Sequence, residues 1–291
     1  MCHEYVAETI AGYLRIIARA KPGVKAGRGM ESLHQLRVTF RRLRNAFWVF
    51  KKFIPEARRR RWIRGLKVSS QNCGEARDLD IQIMFLKTYR RALKDPAQKI
   101  VLDALIEKLP EKRSALQQRL CRSLAQLDQR KTLSEIRAFL RGPEFARQSD
   151  RPLAKTAQKK ISRRLRQLLA FGKFVHQPDK IAELHQMRIA AKCLRYTLEV
   201  FRPFYGKTMD RYIAAAIVLQ RALGTMHDFD VWQLMLPGFL PKGRSLEGKK
   251  ETIDQLGVYC RRERDAAYLK MAAAWESQKK TGLWDKLETL T

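Results

Sequence analysis

The sequence predicts an all-α fold built as two similar helical halves, and three observations carry that prediction. Apolar residues recur at helical spacing through most of the 291 residues, and no segment makes a convincing strand. A basic segment occurs twice, as Leu33-His34-Gln35-Leu36-Arg37 and Leu184-His185-Gln186-Met187-Arg188. An acidic block also occurs twice, Gly74 ahead of Arg77-Asp78-Leu79-Asp80 and Gly224 ahead of His227-Asp228-Phe229-Asp230, again about 150 residues apart. Two halves related by a pseudo-twofold axis would bring their basic faces together.

In chain order, the first half is expected to hold helices over about 3–20, 30–53, 56–73, 77–94, 97–128 and 132–141. Pro22-Gly23, Ile54-Pro55, Asp95-Pro96 and Gly142-Pro143 mark turns or helix starts, because proline restricts the residue before it and has no N–H to donate. The second half repeats the plan at about 152–172, 179–202, 207–224 and 227–236, followed by a Pro- and Gly-containing loop near 237–248 and a long helix to about 279. The halves, 1–142 and 152–291, form one domain over 1–291.

A chain of this length with 45% hydrophobic content has enough material for a sizeable core. Its formal charge of +31 is extreme, since like-charge repulsion opposes compaction unless an anionic partner offsets it. Cys2, Cys73, Cys121, Cys193 and Cys260 are odd in number, widely spaced and without a C-x-x-C pair, which argues against a disulfide framework and a zinc site. No signal-peptide pattern or membrane-length apolar run is present, so a cytoplasmic protein in a reducing compartment is expected, with no membrane partner.

On a helix, His34, Arg37, Arg41 and Arg44 fall at steps of three, four and three, so all four project from one side. Leu36, Leu43, Ala46, Phe47 and Phe50 form a separate apolar stripe. His185, Arg188, Lys192 and Arg195 repeat the cationic spacing. Arginine presents a planar fork of donors that matches phosphate oxygens, and lysine a compact charge. A line of both at helical rise, about 5.4 Å per turn, suits a chain of repeating phosphates. A weaker extension lies on the opening helix of each half, at Lys155, Lys159, Arg163 and Arg166, with Arg15 in register with Arg166. Arg58-Arg59-Arg60-Arg61 points around most of a turn and reads as an exposed face.

The acidic blocks admit an enzymatic reading, because His227-Asp228 is reminiscent of metal phosphohydrolase ligands. The stronger expectation is that Asp78, Asp80, Asp228 and Asp230, following their glycines, cap helix starts or pair with arginines. His3 and His176 show no ligand spacing, so no metal, cofactor or catalytic residue is assigned. Tyr196 and Glu199 are set aside from the primary site.

The blocks from His34 through Val38-Thr39-Phe40 to Arg44, and from His185 through Ile189-Ala190-Ala191 to Glu199, together with both glycine–aspartate blocks, resemble the paired signatures of CHAD, the conserved histidine α-helical domain family. The resemblance covers essentially the whole chain. It implies an all-helical, two-lobed domain whose central basic channel binds inorganic polyphosphate, acting as a binding or granule-targeting module instead of an enzyme. Carried over residue by residue, the implied ligands are His34, Arg37, Arg41, Arg44, His185, Arg188, Lys192 and Arg195, with Arg15, Lys155, Lys159, Arg163 and Arg166 as a secondary set. The CYTH domain that often precedes a CHAD domain has no counterpart here, so the chain reads as a stand-alone CHAD. Three positions depart from the repeat: Arg41 corresponds to Lys192, which keeps charge without the bidentate fork, Arg42 corresponds to Cys193, which argues against a symmetric role for Arg42, and Arg77 corresponds to His227. The competing expectation is non-specific nucleic-acid binding at low salt. It is disfavoured by the absence of zinc-finger or RNA-recognition motifs and by Phe47, Phe50 and Phe201 lying on apolar helix sides.

Overall fold

Apolar side chains at three- and four-residue steps give each helix one buried stripe, and the stripes decide how the helices pack. In α1 (Cys2–Lys25) the stripe is Val6, Ile10, Leu14, Ile17, Ala20 and Val24. The computed structural model describes residues 2–27, 29–147, 152–239 and 247–290. Among these it contains α-helices, short 3-10 turns and no strand, an all-α fold as expected.

The chain divides into two compact units, Met1–Pro152 and Leu153–Thr291. The N-terminal unit continues with α2 (Met30–Val49), α3 (Glu56–Ala92), α4 (Pro96–Ile106), α5 (Leu109–Gln129), α6 (Thr132–Arg141) and α7 (Pro143–Ala146). Its helix α2 packs on α1 and α3, and α3 packs on α5. The C-terminal unit holds α8 (Leu153–Leu169), a 3-10 turn at Gly172–Phe174, α9 (Ile181–Tyr205), α10 (Thr208–Met235), a second turn at Leu236–Phe239, α11 (Glu247–Lys280) and α12 (Leu283–Leu290). There α9 packs on α8 and α10, and α10 packs on α11. The order α1-α2-α3-α5 is thus repeated as α8-α9-α10-α11.

Aromatic rings anchor the N-terminal core. Trp62 is fully buried between Phe47, at 5.7 Å, and Phe139, at 5.4 Å, and Phe139 meets Phe145 edge-on at 5.5 Å. Burial of each such side chain stabilises the unit by roughly 1.5–3 kcal/mol. The C-terminal core buries Phe201, Tyr212, Leu219 and Met271 completely.

Four expected boundaries are corrected. The helices expected at 56–73 and 77–94 are one, α3, and those at 207–224 and 227–236 are one, α10. A glycine inside a helix costs only about 1 kcal/mol relative to alanine. The packing of Leu66, Cys73, Ala76 and Leu79 carries α3 through Gly74, as that of Leu219, Leu223 and Met226 carries α10 through Gly224. The helix expected over 97–128 is broken instead, because Pro110 opens α5 in its first turn. Pro22 does not end α1, which closes beyond it with Ala26 N–H donating to the Pro22 carbonyl at 3.0 Å. The loop expected near 237–248 falls largely on residues 240–246, outside the described residues. Among the described residues no helix is long and apolar enough to cross a membrane.

Candidate anion-binding site

In α2, Leu33, Leu36, Phe40, Leu43 and Phe47 are buried, which turns the histidine-arginine line away from the core. His34 and Arg44 are exposed, and Arg37 and Arg41 are half-buried. Arg37 Nη1 lies 2.8 Å from Asp78 Oδ1 on α3, with the arginine side chain 14% exposed and the aspartate 55%. The guanidinium passes over Gly74, where a Cβ would lie 4.0 Å from Arg37 Nε, an ordinary contact. His34 is held below the ordinary histidine pKa, by burial first and then by the Arg77 charge.

The α9 face is built the same way over buried Leu184, Met187, Ala191, Leu194 and Leu198. His185, Arg188, Lys192 and Arg195 are all half-buried. Arg195 Nε donates to Glu199 Oε1 at 2.7 Å, its Nη1 donates to Gln220 Oε1 at 3.2 Å, and its guanidinium lies 5.4 Å from the Tyr196 ring centre. Arg195 is therefore braced, whereas Arg44, its counterpart, makes no such ion pair among the described residues. At Gly224 a Cβ would sit 3.6 Å from Arg188 Nε, repeating the passage of Arg37 over Gly74.

His227 on α10 joins this face. Its Nδ1 lies 3.0 Å from His185 Nδ1, and the ring centres are 4.2 Å apart. Burial and the Arg188, His185 and Lys192 charges push the His227 pKa down to about 4, and burial with Arg188 and Lys192 also lowers that of His185.

Beneath each face lies an ion pair from the acidic block. Arg113 on α5 reaches Asp80 at 2.6 Å, and Arg264 on α11 reaches Asp230 at 2.7 Å. Arg113 also donates to Gln117 at 3.0 Å, and Arg264 to the Pro178 carbonyl at 2.6 Å. These pairs tie α3 to α5 and α10 to α11. The capping role expected for Asp78, Asp80, Asp228 and Asp230 is corrected, because all four lie inside the continuous helices α3 and α10, where the backbone N–H groups are already used. The alternative in that expectation, pairing with arginine, describes Asp78, Asp80 and Asp230.

Each half therefore groups its four primary residues on one helix face, with a residue of the acidic block beside the histidine. Lys155, Lys159, Arg163 and Arg166 are exposed along α8, and Arg15 on α1 is exposed and paired with Glu8 at 3.0 Å. The run Arg58–Arg61 is engaged with acids: Arg58 with Glu144 at 2.8 Å, Arg61 with Glu135 at 2.9 Å, and Arg59 and Arg60 with Glu56. Among the described residues no group of three or more His, Cys, Asp or Glu side chains is arranged to hold a metal ion. Cys73 and Cys260 are buried, and burial pushes both thiols up to about 12.

The residues that sequence reasoning left out are Glu199, Gln220, Arg113 and Arg264, which orient or neutralise site groups, and His227. The change from Arg77 to His227 between the two acidic blocks is the available signal for the last.

The backbone is similar to two solved structures. The CHAD domain from the plant Ricinus communis is 23% identical, with a TM-score of 0.73 over 94% of this chain and 90% of that one. PptA from Streptomyces chartreusis is 15% identical, with a TM-score of 0.59 over 94% of this chain and 99% of that one. At these identities the likeness concerns the fold. No curated protein sequence matches significantly. The CHAD domain family model matches residues 8–237, most of the chain and all of both basic helix faces. The chain belongs to the CHAD domain family.

Proposed function

We propose that this protein binds inorganic polyphosphate without reacting with it, through the basic faces of α2 and α9. The observation that carries the reading is the duplicated line His34-Arg37-Arg41-Arg44 and His185-Arg188-Lys192-Arg195, in which each set of cations occupies one side of a helix whose opposite side is core. Family membership supports it. Several permanent charges set one turn apart neutralise successive phosphates and release their counterions, and they require neither a groove nor base edges. Lys155, Lys159, Arg163, Arg166 and Arg15 extend the cationic surface as secondary contacts. The role is binding, cytoplasmic and associated with polyphosphate granules, without catalysis or a cofactor. Asp78, Asp80 and Asp230 are held by arginines, so they serve geometry and charge balance in this reading.

Nucleic acid is the competing polyanion. Phe47, Phe50 and Phe201 are fully buried and offer no ring for a base to stack on. Labelled long-chain polyphosphate is titrated with the protein at about 0.15 M salt, where loose surface attraction is partly screened, and competed with duplex DNA, RNA and short oligophosphates. Retention of polyphosphate against an equal phosphate concentration of nucleic acid is expected. Equal displacement by nucleic acid would replace this reading with that of a generic cationic surface.

A further inference from the structure

The second acidic block has His227 where the first has Arg77, and the consequence lies in how two imidazoles share a hydrogen bond. With His185 Nδ1 and His227 Nδ1 3.0 Å apart, one nitrogen must carry a proton and the other a lone pair. When both rings are neutral, the ring donating through Nδ1 has a bare Nε2, and its partner has an Nε2–H. The pair then offers one donor and one acceptor, and an acceptor repels a phosphate oxygen. One added proton settles on the bare Nε2. The Nδ1–H···Nδ1 bond survives, both Nε2 atoms become donors, and the pair gains one positive charge. A second proton would set two N–H groups against each other at the same distance and break the bond.

Resting on the polyphosphate reading above, we propose that His227 is a further anion-binding residue of the C-terminal unit and that the His185–His227 pair takes up one proton as a phosphate group binds. The charges around the pair make this a binding-linked event. From α9 it faces Arg188 and Lys192; from α10 come Asp228, which is exposed, and Asp230; from α11 comes Arg264, engaged by Asp230 and the Pro178 carbonyl. Helix α8, packed on α9, carries Lys155, Lys159, Arg163 and Arg166 on its exposed side. This setting is cationic and half-buried, so the free pair stays neutral at pH 7, in line with the His227 pKa near 4. A phosphate placed among these cations reverses the local field and favours the protonated pair. Because bound protein holds more protons than free protein, affinity rises as pH falls, by up to about tenfold per pH unit for one proton. In the N-terminal unit the corresponding sequence position is Arg77.

The test is calorimetric titration of the full chain with long-chain polyphosphate near pH 7 in two buffers of different ionisation enthalpy, for the wild type and His227→Arg. Binding is expected in both, with the wild type absorbing about one more proton per bound site than the variant. His34 and the terminal phosphates contribute equally to the two proteins and cancel in the difference. Equal proton counts with binding intact would overturn the histidine-pair proposal and leave the polyphosphate reading standing. Absence of binding in both proteins would remove that reading and the proposal together. Circular dichroism checks that His227→Arg is folded; if it is not, His227→Gln replaces it, with the same expected difference.

Discussion

In the N-terminal unit Arg77 stands beside His34, and Arg44 ends the basic line with no ion pair among the described residues; in the C-terminal unit His227 stands beside His185, and Glu199 with Gln220 holds Arg195. Below these differences the two units agree. Each places an arginine over a helix glycine, and each ties its third helix to a later one through an aspartate–arginine pair. The repeat thus keeps what positions the basic helix and varies what tunes its charge. The N-terminal face carries one more arginine at this place, while the C-terminal face has a second histidine and an arginine held by Glu199 and Gln220.

The deepest shared element gives the largest expected effect. Arg264 and Asp230 are 9% and 10% exposed, so Asp230→Ala takes the near carboxylate from a buried cation and leaves it the Pro178 carbonyl and Asp265 at 3.7 Å, at a cost of up to about 3–5 kcal/mol. Asp80→Ala should cost less, because Arg113 is 23% exposed and its freed guanidinium can turn to water. Thermal melts of the two variants rank the pairs, and equal losses would contradict the difference in burial. A smaller effect is expected at the brace. Glu199→Gln removes the negative charge 2.7 Å from Arg195, and polyphosphate affinity should rise about two- to fivefold, the scale of a partly exposed ion pair. A fall in affinity would mean that orientation of Arg195 outweighs its neutralisation.

Much of this was legible in the chain itself. The fold class, the α2 and α9 faces and the apolar stripes behind them follow from spacing, because a 3.6-residue period fixes which side chains share a side. The continuity of α3 and α10 was not legible. Glycine at 74 and 224 reads locally as a stop, and only the tertiary packing of Cys73, Ala76, Leu223 and Met226 shows that the helix gains more by continuing. The partners of Asp80 and Asp230 were likewise hidden, since Arg113 and Arg264 lie more than thirty residues downstream. Nor does one sequence reveal that His185 and His227, on different helices, meet nitrogen to nitrogen. The difference at position 227 shows a change of chemistry but not its neighbour.

The central claim is that the two helix faces hold the polyanion, and positions 41 and 192 test it most cleanly. Reversal at Arg37 would set a glutamate against Asp78 and mix folding with binding, whereas Arg41 and Lys192 occupy corresponding, half-exposed places in the two lines. The affinity of Arg41→Glu/Lys192→Glu for long-chain polyphosphate is measured across a salt series, with helicity followed by circular dichroism. The account predicts native helicity, at least about a tenfold loss of affinity and a salt slope shallower by about two or more. Wild-type affinity and slope in a fully helical variant would place the polyanion elsewhere on the protein.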